Sequence, residues 1–206
     1  MKTVVKYLLL ACFAFVAAAC GGSRGDALRV ELPYDDLREG DLVFRRGRNM
    51  TSNMIVAKDE RAYSHIGVLH QGNDGKWYVI HAVNDEYDFE GDFDRVKMDD
   101  IERFFSAERA SAGVIVHTFV ADGAVSEISA RALQYVRDSV RFDSDFVLAD
   151  EQELYCTELI HVLYGSVGVD VTEGRRTTVG VFGFPDEIIF PSDILNNKKL
   201  QIYFAF

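Results

Sequence analysis

The chain holds three cysteines and five histidines in 206 residues, and these side chains set its scope for nucleophilic chemistry. Cys156 stands in the stretch "YCTELI", Tyr155 to Ile160. A thiol that works as a nucleophile needs a base to take its proton and a further group to orient that base. From Cys156 onward, Leu159, Ile160, Leu163, Tyr164 and Val167 recur at i+3, i+4, i+7, i+8 and i+11. That spacing predicts a helix with one apolar face, and Gly165 and Gly168 suit its end. Cys156 then lies in the first turn, on the core-facing side. The unpaired N–H groups of a helix start favour a thiolate there.

The base must come from His65, His70, His81, His117 or His161. His161 follows Cys156 by five positions, roughly 140° around a helix that turns about 100° per residue, and so points away. His117 sits in the apolar run Ala112 to Val120 and reads as a packed histidine. His65 and His81 lie in two β-rich runs, "SHIGVLH" and "KWYVIHAV", joined by "QGNDG", which signals a hairpin. A loop centred on Asn73 pairs the two histidines directly. A three-residue loop Asn73-Asp74-Gly75 sets them one pair apart. In both registers they share a face, because strand side chains alternate with period two. The alternative is a pair of polar residues on a solvated face.

The other two cysteines belong to a targeting segment. Lys2 and Lys6 precede an apolar run from Tyr7 to Val16, followed by Ala17-Ala18-Ala19-Cys20. The run has the length of a signal-peptide core and is too short to span a bilayer. Small residues before a cysteine predict cleavage ahead of Cys20 and attachment of diacylglycerol to its sulfur. Two acyl chains give stable anchoring. Ordinary cleavage after Ala19 is the alternative. Cys12 leaves with the signal peptide. The expected organisation is a signal peptide over 1–19, a lipidated Gly-rich tether over 20–30 and one domain over 31–206. An exported chain with one remaining cysteine has no intrachain disulfide framework.

Net charge is −11, and no basic face of the kind that binds nucleic acid is evident. The basic stretches Phe44 to Arg48 and Arg175-Arg176 read as solvated surface. Asp143, Asp145, Asp150, Glu151 and Glu153 crowd the approach to the Cys156 helix. They read as a solvated loop, or as an acidic rim that attracts an amine. No His/Cys cluster has zinc-ligand spacing, so no metal or organic cofactor is expected.

The remaining pattern gives a strand over "EGDLVFRR" (39–46), a short helix from Met50 capped by Thr51 or Ser52, and an acidic loop "NDEYDFEGDFD". A short helix over Asp99 to Phe105, a strand over 112–120 and a helix over Val125 to Val140 follow. "FPSDIL" breaks at Pro191 and leads into a last strand, "LQIYFAF". Strands and helices mix without a βαβ rhythm, which points to α+β.

Read in order, "EGDLVF", "YSHIGVLH", "WYVIHAV", "YCTELI" and "FPSDIL" resemble the motifs of permuted papain-like amidases of the YaeF/YiiX type, relatives of the NlpC cell-wall peptidases. The resemblance runs from about Glu39 to about Asp193. It implies a circularly permuted papain-like (NlpC-like) fold, with an antiparallel sheet or partial barrel packed on the helix that carries the cysteine. It also implies Cys156 as nucleophile, His65 as general base and His81 at the third polar position. That position is often glutamate in the family, so His81 departs by bringing no fixed negative charge. "VRFDSDF" departs from a usual Gly-x-Pro-Tyr-Asp, although Asp143 is kept. The expected activity is amide cleavage in cell-wall peptides by an anchored, periplasm-facing enzyme. A lipid acyl hydrolase or acyltransferase, and a weakly catalytic binding module, are the alternatives.

Overall fold

The computed structural model describes residues 30–59, 63–148, 151–180 and 185–206. The signal peptide, Cys12, Cys20, the tether before Val30 and Asp150 lie outside the described residues. Strands β1 (Leu42–Arg46), β2 (His65–Gln71), β3 (Trp77–Val83), β4 (Arg95–Asp100), β5 (Ala112–His117) and β8 (Gln201–Ala205) form an antiparallel sheet in the order β4-β3-β2-β1-β5-β8. A separate two-stranded ladder joins β6 (Thr177–Thr178) to β7 (Glu187–Ile188). The helices are α1 (Met50–Lys58), α2 (Ile101–Phe104), α3 (Asp122–Arg137), α4 (Cys156–Gly165) and α5 (Pro191–Leu195).

Both faces of the sheet are covered, which explains why β2 and β5 read as nearly continuous apolar runs. Leu42, Phe44, Ile66, Val68, Ile80, Ala82, Val114 and Val116 pack against Ile128 of α3 and Leu159, Ile160, Leu163 and Tyr164 of α4. On the other face, Val43, Leu69, Val79 and Ile115 meet Ile101, Phe104 and Phe105. The predicted face of the cysteine helix is the buried face of α4, and Cys156 is its first residue.

The hairpin takes the second of the two expected registers. Val68 pairs with Ile80 and Gln71 with Trp77. Gly72 closes the loop by donating to the Lys76 carbonyl at 2.9 Å, and Gly75 takes φ 78°. Continued along the strands, this pairing sets Gly67 opposite His81 and leaves His65 diagonal to it. A Cβ at Gly67 would lie 2.4 Å from Val79 Cγ1, 3.0 Å from the Ile80 carbonyl oxygen and 3.2 Å from His81 Cβ. Gly67→Ala should therefore cost about 1–3 kcal/mol through overpacking. It should also push the two histidines apart. Urea denaturation checks the first effect, and an unchanged midpoint would show that the hairpin yields freely.

Four expectations change. Residues 95–100 form strand β4, so Asp99 stands in a strand and the short helix begins at Ile101. Pro191, read as a break leading into the last strand, starts a helix; its fixed φ and missing N–H suit the first helical position. The cap of α1 is Asn49, whose side chain accepts from the Ser52 N–H at 2.8 Å. Arg45, read as surface, is only 2% exposed.

Candidate active site

Cys156 and His65 come from opposite sides of the packing, and each stands at the end of its element. His65 opens β2, and Cys156 opens α4, which packs on β2 and β3. Both line one cleft. The walls include the cap residue Asn49, Ser52 and Ile55 of α1, Ser64, and Phe142 and Phe146 from the loop before α4.

His65 Nε2 lies 2.8 Å from His81 Nδ1, with the two rings edge to face. That contact leaves Nδ1 as the His65 nitrogen not engaged by His81. His81 is completely buried, which removes the solvated-face alternative. Its Nε2 lies 3.3 Å from Asp99 Oδ2. Asp99 also accepts from Arg109 at 2.8 Å and has Arg103 at 3.5 Å. Arg109 and Arg45 both pair with Glu86, and Arg45 donates to the Phe104 carbonyl at 3.0 Å while its guanidinium covers the Phe104 ring. Lys97, paired with His81 across β3 and β4, reaches Asp88 at 3.1 Å.

These charges decide the protonation states. Burial pushes the His65 imidazolium well below its ordinary range, and the positive charges of Arg45, Arg109 and Lys97 push the same way. His81 is also lowered, by burial, against a hydrogen bond to Asp99 that opposes the shift. Burial raises the Cys156 thiol to about 11, although backbone N–H groups of Ile66, Thr157 and Cys156 itself draw it down. The helix start therefore assists a thiolate but does not produce one at rest. Both shifts run toward a neutral thiol and a neutral imidazole, away from a resting ion pair. Burial raises Asp99 as well, but His81, Lys97 and Arg103 outweigh it and hold its carboxyl far below the usual carboxylate range.

The other candidates stand apart. His70 pairs with Glu39 at 2.8 Å, and His117 with Asp41 at 2.8 Å while stacking on Tyr203. His161 lies on α4 near Arg176 and is absent from the cleft wall. Asp143, Glu151 and Glu153, before α4, are spent locally. Asp143 accepts from the backbone N–H groups of Asp145, Phe146 and Val147, Glu151 pairs with Arg131, and Glu153 with Arg141. The acid in the cleft wall is Glu86. Asp99 and Arg45 were missed by sequence reasoning. The alternation of Val96 and Met98 with charged residues was the available signal for β4.

Residues 36–202 match the model of a family described as "Permuted papain-like amidase enzyme, YaeF/YiiX, C92 family". Among solved structures, the fold is similar to metalloprotein yiiX from Escherichia coli O157:H7, with a TM-score of 0.67, 16% identity, 82% of this chain covered and 97% of that chain. Comparison with curated proteins gives no match. The Escherichia coli protein is described as a metalloprotein; among the described residues here, no group of three or more His, Cys, Asp or Glu is arranged to hold a metal ion.

Proposed function

Since this chain belongs to the permuted papain-like amidases, a family of cysteine hydrolases, we propose that it cleaves amide bonds by acyl transfer to Cys156, with His65 as base and His81 as its orienter. The observation that carries this reading is the shared cleft: Cys156 and His65 line it together, and Nε2 of His65 is held by His81. His65 Nδ1 takes the S–H proton as sulfur bonds to the carbonyl carbon. The carbonyl oxygen gains the electron pair, and the Cys156 backbone N–H, without an intrahelical partner at the first position of α4, is a donor for it. His65 passes its proton to the leaving amine as the C–N bond breaks, leaving a thioester. Water, deprotonated by His65, then attacks that thioester and restores the thiol.

The cell envelope location belongs to the same proposal and rests on the amino-terminal segment ending at Cys20. Cell-wall peptide amides are the substrate class favoured by that location. A lipid acyl substrate is the second reading, favoured by the exposed Met50 and Met54 on α1, adjacent in sequence to the cleft-wall residues Asn49, Thr51 and Ile55, and by Val147 and Leu148, which follow Phe146. The reading is tested with p-nitrophenyl acetate as acyl donor. Mass spectrometry of the quenched enzyme should place the acetyl group on Cys156. An acetyl group found only elsewhere sinks the nucleophile assignment. Release of amine from wall fragments, set against release of fatty acid from phosphatidylethanolamine vesicles, separates the two substrate classes.

A further inference from the structure

We propose that Asp99 is a positioning residue that sets the tautomers of both histidines and so turns a bare nitrogen of His65 toward the thiol. The proposal rests on the Cys156–His65–His81 reading and extends it by one residue. The geometry is a buried line: Asp99 Oδ2 lies 3.3 Å from His81 Nε2, and His81 Nδ1 lies 2.8 Å from His65 Nε2. Asp99 is 3% exposed and His81 fully buried, so no bulk water can exchange the roles of these nitrogens.

The argument is proton counting. Asp99 is held ionised by Arg109 at 2.8 Å and Arg103 at 3.5 Å. An ionised carboxylate can only accept, so His81 Nε2 must carry a hydrogen and donate it. A neutral imidazole has one N–H, which makes His81 Nδ1 an acceptor. His65 Nε2, facing that acceptor, must then donate. The remaining nitrogen, His65 Nδ1, is left with a lone pair, the form a general base needs. The opposite tautomers would face a bare His81 nitrogen at a buried carboxylate, which leaves both acceptors unsatisfied.

This also accounts for a histidine where a carboxylate would serve directly. A glutamate at position 81 would accept from His65 Nε2 itself. Here the fixed negative charge is supplied by β4, one ring further away, and His81 transmits its direction. When His65 becomes an imidazolium during the reaction, Asp99 provides the compensating charge through His81.

Long-range proton–nitrogen spectra of the wild-type protein at neutral pH read the tautomers directly. Both His65 and His81 should carry their proton on Nε2, and a His65 protonated on Nδ1 alone overturns the proposal. Asp99→Asn keeps the shape but allows the amide to donate. It should mix the tautomers and lower kcat for p-nitrophenyl acetate more than tenfold with little change in KM. Pairing His81→Glu with Asp99→Asn should recover rate relative to His81→Glu alone, which sets two carboxylates side by side. If Cys156→Ala keeps the wild-type rate, the site reading itself fails. If Cys156→Ala abolishes the rate while Asp99→Asn keeps both rate and tautomers, only the role of Asp99 falls. Should Asp99→Asn not fold, the wild-type spectrum decides.

Discussion

Cys156→Ala should abolish acyl transfer, and His65→Ala should lower it by about 10²–10⁴-fold, the usual worth of a positioned base. The pH profile of the wild-type enzyme gives the sharper test of how the two groups cooperate. His65 faces Arg45, Arg109, Lys97 and His81, and burial with these neighbours keeps it neutral well below 6.5. The acid limb of kcat/KM, which marks protonation of the free base, should therefore fall below pH 6.5. Cys156 keeps its proton up to about 11, so the plateau should extend toward that value. Activity that falls on the alkaline side well short of about 11, where the imidazolium of a resting ion pair would lose its proton, would show a thiolate–imidazolium pair and defeat the neutral mechanism. The same shifts act on stability. In the denatured chain these imidazoles bind protons near 6.5, whereas the folded state resists protonating His65 and His81. The stabilising contribution is present above that pH and is lost as pH falls below it. Each imidazole contributes a slope of up to about 1.4 kcal/mol per pH unit.

Arg45→Ala should destabilise the fold by about 3–5 kcal/mol, the range for breaking a buried charged contact. Arg45 is among the largest fully buried side chains. Its removal strips the Phe104 carbonyl of a donor at 3.0 Å and uncovers the Phe104 ring, while Glu86 keeps only Arg109. Arg45→Met combined with Glu86→Gln should recover most of the loss, because it restores packing and deletes both charges together. Chemical denaturation of the three variants measures this, and a loss under about 1 kcal/mol for Arg45→Ala would return Arg45 to the surface role its sequence suggests. The loss should also raise the acid limb of any remaining activity, since one positive charge near His65 is gone.

Much of the candidate site's geometry was legible because its parts follow ordinary periods. The spacing from Cys156 to Tyr164 is a helix face, and α4 buries that face. His65 and His81 share a strand face whichever hairpin loop is drawn, so their meeting did not depend on choosing the register. Asp99 escaped because β4 presents Lys97 and Asp99 inward and still buries both. Hydrophobic patterning assumes that the buried side of a strand is apolar. Here it is charged, and its cost is met by partners from other elements, namely Arg103, Arg109, Glu86 and Asp88. Arg45 escaped for the same reason: a run of arginines resembles surface until Glu86 and Phe104 are seen around one of them. Pro191 was read as a break because proline interrupts regular structure, yet its fixed φ and missing N–H also suit the first position of a helix.

The placing of Cys156 at the tip of one element and His65 at the tip of another has a consequence for the time at which the protein becomes reactive. Neither the hairpin alone nor the isolated helix owns the cleft; each supplies one wall. The two are distant in sequence, so the centre waits for a long-range contact that pays loop-closure entropy before it is rewarded. A newly made chain, with the sheet half assembled, carries an ordinary thiol and an ordinary imidazole. Catalytic competence arrives with that docking event, and a chain still unfolded is catalytically silent.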